Sequence, residues 1–318
     1  MSKLQASPIA KALPYKPPPS RPGKASSLRL PPKPRRKGIW TACGLFLGGI
    51  AAYGAFLCAT LVLEPDYPLP EKDADLSSRY DGRAEHFDKD LSIFEETFGV
   101  NALRKRLAEQ ARGHVLEVSA GTGRNSAYYD LEKVKGLTFV DQSGAMIEVA
   151  RKKWNMLHPE YRNCSFYTQS TTDPLPATTV PKAGFTTVLQ TMGICSTPNP
   201  AATLSHLGTL VDPAEGRILL LEHGRSGYRF VNWVLDKSAA RHANKHGCWP
   251  NRDVRKVLEE SGLVVEKIKV SQFGTLYYIE ARPVRQIEAR KRAESKIEMR
   301  KRAQSEDKTK GAKRWFGG

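Results

Sequence analysis

The segment His114-Val-Leu-Glu-Val-Ser-Ala-Gly-Thr-Gly-Arg-Asn125 decides the fold of this 318-residue chain. An apolar run that is typical of a buried strand ends at residues 117–119, and the small residues Gly121-Thr122-Gly123 follow at once. Glycines let the backbone turn tightly and come close to a ligand. The segment therefore predicts a strand, a turn with a nucleotide-like ligand lying across it, and then a helix.

A second apolar run, Leu137-Thr-Phe-Val-Asp141, ends in an acid 20 residues beyond Gly121. A carboxylate at the end of the second strand can accept hydrogen bonds from both hydroxyls of a ribose laid over the first turn. Ser143 is the predicted N-cap of a helix over 144–157. The two segments together predict a site for an adenosine-containing cofactor.

Details of the first turn distinguish two such cofactors. The dinucleotide fingerprint requires a glycine or alanine where Ser126 stands, and it requires no acid ahead of the turn. Glu117 supplies such an acid, which suits the ammonium group of a methionine and would repel a pyrophosphate. The turn therefore favours S-adenosylmethionine over a dinucleotide.

Short β-rich runs alternate with helical stretches from about residue 114 to residue 281, and the last two runs leave no room for a helix between them. The predicted strands are 114–119, 137–141, 164–168, 185–190, 217–222, 264–270 and 276–281, and the predicted helices include 144–157 and 252–260. This pattern predicts an α/β, doubly wound sheet that ends in a β-hairpin.

The net charge of +17 belongs to the two ends of the chain. Residues 1–38 carry ten Lys/Arg, nine prolines and no acid, residues 282–318 carry thirteen Lys/Arg against five acids, and residues 39–281 sum to −1. A core without a basic field argues against nucleic acid as its partner. We interpret 1–38 as a mitochondrial targeting arm and 282–318 as a basic helical or disordered tail, which could attract anionic lipid or RNA.

Residues 39–63 contain no charged side chain and are long enough to cross a bilayer, so they predict one transmembrane helix. Gly44 and Gly48 within it form a small-residue face that could support weak self-association. Residues 64–78 are a predicted linker. The basic side of a span stays inside, which predicts a single-pass protein of the mitochondrial inner membrane, with its N-terminus in the matrix and its C-terminal domain in the intermembrane space.

The segments VLEVSAGTGRN and FVDQSGAMIEVARKK resemble motifs I and II of the class I S-adenosylmethionine-dependent methyltransferases, near the ubiquinone/menaquinone branch. The likeness covers residues 79–281. With the basic arm and the span in front, the layout is similar to the fungal mitochondrial inner-membrane OMS (Oxa multicopy suppressor) methyltransferase-like family. The resemblance implies a Rossmann-like seven-stranded sheet, S-adenosylmethionine as cofactor, and methyl transfer as the reaction.

Carried over by position, the resemblance implies a cofactor-binding set of Glu117, Ser119, Ala120, Gly121, Thr122, Gly123, Asp141, Gln142, Met146, Ser170, Thr171, Gln190, Thr191 and Met192. It places Tyr80, Gly193, Asn251 and Arg252 near the acceptor, and His223 after the fifth strand as the candidate base. Ser119 departs from the family's pattern, which has a glycine there.

Several alternatives stay open at this stage. His223 could equally orient the acceptor or satisfy a loop carbonyl, and Arg252 could be exposed beside a helix cap at Asn251 or Asp253. The spacing of His242, His246 and Cys248 lacks a fourth ligand, so no metal is predicted.

The acceptor is open as well. It could be a small lipophilic quinone-like or thiol molecule, or a protein. The rival functions are a catalytically weak methyltransferase-like assembly or chaperone factor, and an RNA methyltransferase recruited by the basic tail.

Overall fold

A computed structural model of the chain describes residues 74–284 without a break, together with residues 44, 46–49, 51–55, 70–71, 295 and 299. The predicted arm 1–38 lies outside the described residues, as do nearly all of the tail 282–318 and much of the predicted span 39–63. Gly44 and Gly48 are described as exposed helical positions. Over the parts that are described, we find no helix with both the length and the apolar character needed to cross a membrane.

The described chain forms a seven-stranded sheet with the strand order β3-β2-β1-β4-β5-β7-β6. Strands β1 to β5 run parallel, and β7 lies antiparallel between β5 and β6. The strands are β1 Gly113–Val118, β2 Val134–Asp141, β3 Cys164–Thr168, β4 Thr187–Thr191, β5 Arg217–His223, β6 Leu263–Ser271 and β7 Leu276–Pro283. This order is that of a Rossmann-like methyltransferase sheet, so the predicted sheet and its terminal hairpin are confirmed.

Helices cover both faces of this sheet. The helices are α1 Ser78–Asp81, α2 Phe87–Thr97, α3 Val100–Ala108, α4 Gly144–Leu157, α5 Pro200–Leu210, α6 Arg229–His246 and α7 Val254–Glu260. The sequence predicted α4 with the same ends and placed the start of α7 two residues early, because Asp253 is the residue that caps it. Leu76, within the predicted linker, is buried, so ordered packing begins before residue 79.

Helix α4 illustrates how the sequence directs this packing. Its N-cap, Ser143, accepts a hydrogen bond from the backbone N–H of Met146 at 3.2 Å. Met146, Ile147, Ala150 and Trp154 recur at helical spacing and are all buried. The capped start and the apolar stripe fix how α4 leaves the end of β2.

The glycine turn is not followed by the α-helix that the sequence predicts. Only one 3₁₀ turn forms, at Ser126–Tyr128, and the chain is extended at Tyr129. The Tyr129 ring is buried against Phe139 and Trp154, and its hydroxyl donates to Glu117. Since this aromatic anchor enters the core so soon after the turn, the helix cannot continue.

The sheet topology sets the position of a ligand site. β1 pairs with β2 on one side and β4 on the other, and the chain winds outward from this pair in opposite directions. Ligands in open α/β sheets bind at the carboxyl ends of the strands where the winding reverses. The glycine turn leaves β1 at that point.

Candidate functional site

A cleft of about 1210 Å³ opens at the carboxyl ends of the parallel strands. Most of the residues that the sequence singles out line it. They are Tyr80, Ser119, Ala120, Gly121, Thr122, Asp141, Gln142, Met146, Ser170, Thr171, Thr191, Met192, Gly193 and His223. Strands that are distant along the chain are thus brought to one cavity.

The glycine turn and the acid of β2 are in direct contact. The Gly121 N–H donates to Asp141 Oδ2 at 2.7 Å, and the Ser143 N–H donates to Asp141 Oδ1 at 3.0 Å. A carboxylate offers about four lone-pair sites, so these backbone hydrogen bonds do not use up its capacity to accept from a ligand. Burial raises the pKa of Asp141, although its backbone hydrogen bonds lower it in part. A Cβ added at Gly121 would meet nothing within 4 Å, so the turn is open above this carboxylate.

The carboxyl ends of β1 and β4 hold two strained residues. Ser119 has φ +49° and Met192 has φ +58°, values that cost a residue with a Cβ about 1–2 kcal/mol. Gln190 donates to Ser119 Oγ at 3.1 Å and holds it in this conformation. The left-handed backbone gives the physical reason why the family has a glycine where Ser119 stands. Strain of this kind is common where a backbone is shaped around a ligand.

Glu117 does not line the cleft. It is fully buried behind the turn, where Asn125 donates to Oε1 at 2.8 Å and the Tyr129 hydroxyl donates to Oε2. Burial raises the pKa of Glu117 to about 7, despite these hydrogen bonds. In the described structure Glu117 therefore holds the residues that follow the turn, and it does not contact the cavity.

Four other predicted residues also lie outside the lining of the cleft. Gly123 has φ +69°, and a Cβ there would lie 2.8 Å from Ser126 Oγ, so it serves the packing of the turn. Gln190 supports Ser119, as described above. Asn251 donates to Asp236 Oδ1 at 2.9 Å, and Arg252 donates to the Thr197 carbonyl at 3.1 Å. Asn251 and Arg252 therefore tie loops together outside the lining of the cleft.

A buried ion network beside the turn was not predicted, and its members Glu95, Arg104 and Arg124 also line the cleft. Arg104 on α3 makes a bidentate pair with Glu95 on α2, at 3.0 and 2.9 Å, and donates to Thr191 Oγ1 at 2.6 Å. Arg124 donates to the same Glu95 at 2.7 Å and to Asp88 at 3.1 Å. The network joins the N-terminal helices to the turn and to the end of β4.

The charges in this network hold its acids ionised. Burial raises the pKa of Glu95, but Arg104 and Arg124 lower it more, and the net pKa lies below its usual range. The same balance applies to Asp88, where Lys153 and Arg124 outweigh burial. Thr122 of the turn donates to Asp88 at 2.5 Å. No sequence signal marks this network, because charged residues on amphipathic helices ordinarily face solvent.

The segment before α2 closes over the end of β2. Asp75 accepts from Gln142 Nε2 at 2.5 Å, and Asp81 accepts from Ser143 Oγ at 2.5 Å. On the other side of the cleft, the Tyr80 hydroxyl lies 2.7 Å from Ser196 Oγ, after β4. The segment therefore bridges the two halves of the cavity.

The half of the cleft at β4 and β5 has a different chemistry. Glu222 accepts from the N–H groups of Gly193 and Ile194 at 3.1 and 3.0 Å, and burial raises its pKa to about 8. The next residue, His223, lies in a cluster with Cys195 and Cys248, whose ligand atoms are all within 4.8 Å of one another. The sequence spacing associates Cys248 with His242 and His246. In the structure, its thiol lies beside His223 of β5 instead.

Aromatic side chains form the mouth of the cleft. Phe94, Phe98 and Phe273 line it and are 58%, 42% and 78% exposed. The turn between β6 and β7 holds them together, since Gln272 donates to the Phe98 carbonyl and Ser226 donates to the Phe273 carbonyl. We call Phe94, Phe98 and Phe273 the aromatic rim.

Comparison with known proteins identifies the family. Residues 95–268, more than half of the chain, match a family described as a methyltransferase domain. The chain is 34% identical over 224 residues to the mitochondrial methyltransferase OMS1 of Saccharomyces cerevisiae, covering 67% of this chain. It spans 47% of that yeast protein's length.

Solved structures give weaker likenesses. An O-methyltransferase family protein from Burkholderia thailandensis has a TM-score of 0.49 at 16% identity, over 65% of this chain and 62% of that one. Magnesium protoporphyrin IX methyltransferase from Synechocystis, with S-adenosylmethionine bound, has a TM-score of 0.39 at 15% identity, over 72% of this chain and 91% of that one. The strand order and the family match, rather than these scores, identify the fold.

Proposed function

The chain belongs to the family of S-adenosylmethionine-dependent methyltransferase domains, and from that premise we propose that it transfers the cofactor's methyl group to a small lipophilic acceptor, quinone-like or a thiol, while anchored in the mitochondrial inner membrane. The observation that carries the proposal is the contact between the Gly121 N–H and the Asp141 carboxylate, at the reversal point of the sheet.

The residues at this point fit the cofactor. The space above Gly121 is open, and the Asp141 carboxylate retains the capacity to accept from ribose hydroxyls. Gln142 and Met146 follow on the side assigned to the adenine, and both line the cleft. When bound, S-adenosylmethionine supplies an electrophilic methyl group on a sulfonium.

The chain's own residues would act by holding the acceptor in line with that group. Positioning and exclusion of water supply much of the catalysis in such a displacement. Glu222 fixes the backbone of Gly193 and Ile194, and Gly193 lines the cleft where we propose the acceptor binds. A base is needed only when the acceptor arrives protonated. His223, which lines the cleft at the end of β5, is the proposed group for that proton.

The aromatic rim supports a lipophilic acceptor. Large exposed apolar side chains at the mouth of a cavity are typical of a site that receives an apolar ligand. Glu95, the charged neighbour of Phe94 on α2, is held by Arg104 and Arg124, so an apolar molecule at the rim meets neutralised rather than free charge.

The anchor, the topology and the domain boundaries rest on the sequence. We propose that residues 39–63 span the inner membrane behind a targeting arm, with residues 79–281 on the intermembrane-space side and the tail beyond them. Carbonate extraction of mitochondria should leave the protein in the pellet, and protease added to mitoplasts should digest the domain. A domain protected in mitoplasts would reverse the topology, and a carbonate-soluble protein would exclude the anchor.

Methyl transfer itself can be tested with the full chain in detergent. We would supply S-adenosylmethionine labelled in its methyl group, with a total lipid extract from mitochondria as the source of acceptors, and measure the label in the organic phase. The wild-type chain should transfer label, and Asp141→Ala should lose at least about tenfold of this activity, as expected when a hydrogen bond from a charged group is removed.

The matched control is Asp130→Ala, which removes an acid outside the cleft lining whose partner is Lys133. It should behave as wild type. Label in the protein fraction alone would identify a protein acceptor and contradict the proposed acceptor class. Label in neither fraction, in a chain that still binds S-adenosylhomocysteine, would favour the assembly-factor function.

A further inference from the structure

A thiol and imidazole cluster stands in the acceptor half of the cleft. Cys248 Sγ lies 3.1 Å from His223 Nε2, and all three ligand atoms of Cys195, His223 and Cys248 lie within 4.8 Å of one another. All three residues line the cleft, yet both cysteines are buried. Thiol and imidazole groups that converge on one point of a cavity wall are suited to bind a soft or borderline metal ion.

The backbone fixes the three residues from separate elements. The Trp249 N–H donates to the Cys195 carbonyl at 2.9 Å, which joins the two cysteine segments. Gly247, with φ +71°, ends α6 in the left-handed conformation and directs the chain back toward β5. Because Glu222 also holds the segment before Cys195, the cluster does not depend on mobile side chains alone.

The geometry fits Zn²⁺ with a small adjustment. Bond lengths of about 2.3 Å to sulfur and about 2.0–2.1 Å to nitrogen place tetrahedral ligand atoms roughly 3.5–3.8 Å apart. The Cys248–His223 separation of 3.1 Å is slightly shorter than this range and no separation in the cluster exceeds 4.8 Å, so side-chain movements of about 1 Å or less would form the site. Mg²⁺ and Ca²⁺ prefer oxygen ligands and do not match this donor set.

We propose that Cys195, His223 and Cys248 bind one Zn²⁺ ion whose fourth coordination position opens into the cleft. Three protein ligands with one open position are the arrangement of catalytic zinc, whereas structural zinc has four protein ligands. Metal binding is independent of the proposed function, but the use of the open position rests on it.

At that position a thiol acceptor would bind as a thiolate and release its proton to solvent. Its sulfur lone pair would form the bond to the methyl carbon, while the bond from that carbon to the sulfonium breaks and leaves its electron pair on S-adenosylhomocysteine. His223 then serves the acceptor through the metal instead of acting as a free base.

The test uses the full chain in detergent with its thiols reduced. Elemental analysis after loading with zinc and dialysis should find about one zinc per wild-type chain. Cys195→Ser and Cys248→Ser should each weaken zinc affinity at least tenfold, and so should His223→Gln. Cys164→Ser is the matched control, because Cys164 lies on β3 away from the cleft, and it should retain zinc as wild type does.

Cobalt substitution reports the ligands directly and does not require activity. The thiolate-to-cobalt charge-transfer band should lose about half its intensity in each cysteine variant and keep it in Cys164→Ser. Benzyl mercaptan should change the wild-type cobalt spectrum if the fourth position is open. An unchanged spectrum would overturn the open position.

Binding of S-adenosylhomocysteine, measured on the same samples, separates this proposal from the proposed function and shows that the variants are folded. Zinc binding without it would keep the metal site and reject methyl transfer. A reduced wild-type chain that takes up no zinc, or folded cysteine variants that bind zinc as tightly as wild type, would overturn the metal site.

Discussion

The two halves of the cleft are built from different materials. At β1 and β2, the wall is backbone from the glycine turn and one carboxylate, Asp141, next to a network of buried ion pairs. At β4 and β5, the wall is thiol and imidazole side chains. A backbone wall is shaped by the fold itself, whereas a side-chain wall can be altered one residue at a time. We therefore propose that the β1–β2 half is a fixed cofactor site and that the β4–β5 half sets the choice of acceptor.

The largest effect is a loss of unfolding free energy expected from the buried ion network. Arg104→Ala would leave Glu95 buried with a weakened set of partners, and breaking a buried ion pair costs about 3–5 kcal/mol of unfolding free energy. Urea denaturation measures this loss. Lys105→Ala, next to it on α3, removes an exposed pair with Glu109 and should cost less than about 1 kcal/mol. Equal losses for the two variants would mean that the network does not support the turn.

Blocking the turn should be nearly as severe. Gly121→Arg places a long side chain in the open space above Asp141, so affinity for S-adenosylhomocysteine should fall more than about a hundredfold, or about 2.7 kcal/mol. Gly262→Arg is the matched control, because Gly262 also has a positive φ and open space around it but lies outside the cleft lining. Calorimetry should find wild-type affinity in this control. If both glycine variants bind alike, the turn does not hold the cofactor.

Stability should depend on pH through Glu117. Its pKa of about 7 lies above the ordinary value of 4.5, so between these values the unfolded chain has lost a proton that the folded chain still holds. Stability from this group therefore falls as pH rises from about 4.5 to 7. Glu117→Gln should remove the fall, and its stability relative to wild type should rise by about 2 kcal/mol from pH 5 to pH 8.

Thermal unfolding without ligand, followed at several pH values, measures this difference. A constant offset between Glu117→Gln and wild type across the range would show that folding does not raise the pKa of this carboxyl.

The sequence anticipated the cofactor half better than the acceptor half. Apolar runs, the glycine turn and Asp141 lie close together along the chain, so local patterns reveal them. Cys195, His223 and Cys248 are separated by more than fifty residues from first to last, and only the strand order brings them together. The ion network was missed because Glu95 and Arg104 are each only 4% exposed, whereas charged side chains are usually exposed to solvent.

The smallest predicted effect concerns the aromatic rim. Replacing both Phe94 and Phe273 with serine should raise the KM for a lipophilic acceptor about fivefold, or about 1 kcal/mol, and leave the Kd for S-adenosylhomocysteine unchanged. Phe230→Ser is the control, since that side chain is 73% exposed but does not line the cleft. A change in cofactor affinity, with no change in KM, would remove the division between the two halves.

The central claim is that Asp141 holds the ribose of the cofactor above the glycine turn. Calorimetry can test it by pairing wild type and Asp141→Ala with S-adenosylhomocysteine and with its analogue lacking both ribose hydroxyls. Removing the hydroxyls should weaken binding to wild type at least about tenfold and have little effect on Asp141→Ala. An equal loss for both proteins would mean that this carboxylate does not contact the ribose, and would contradict the account.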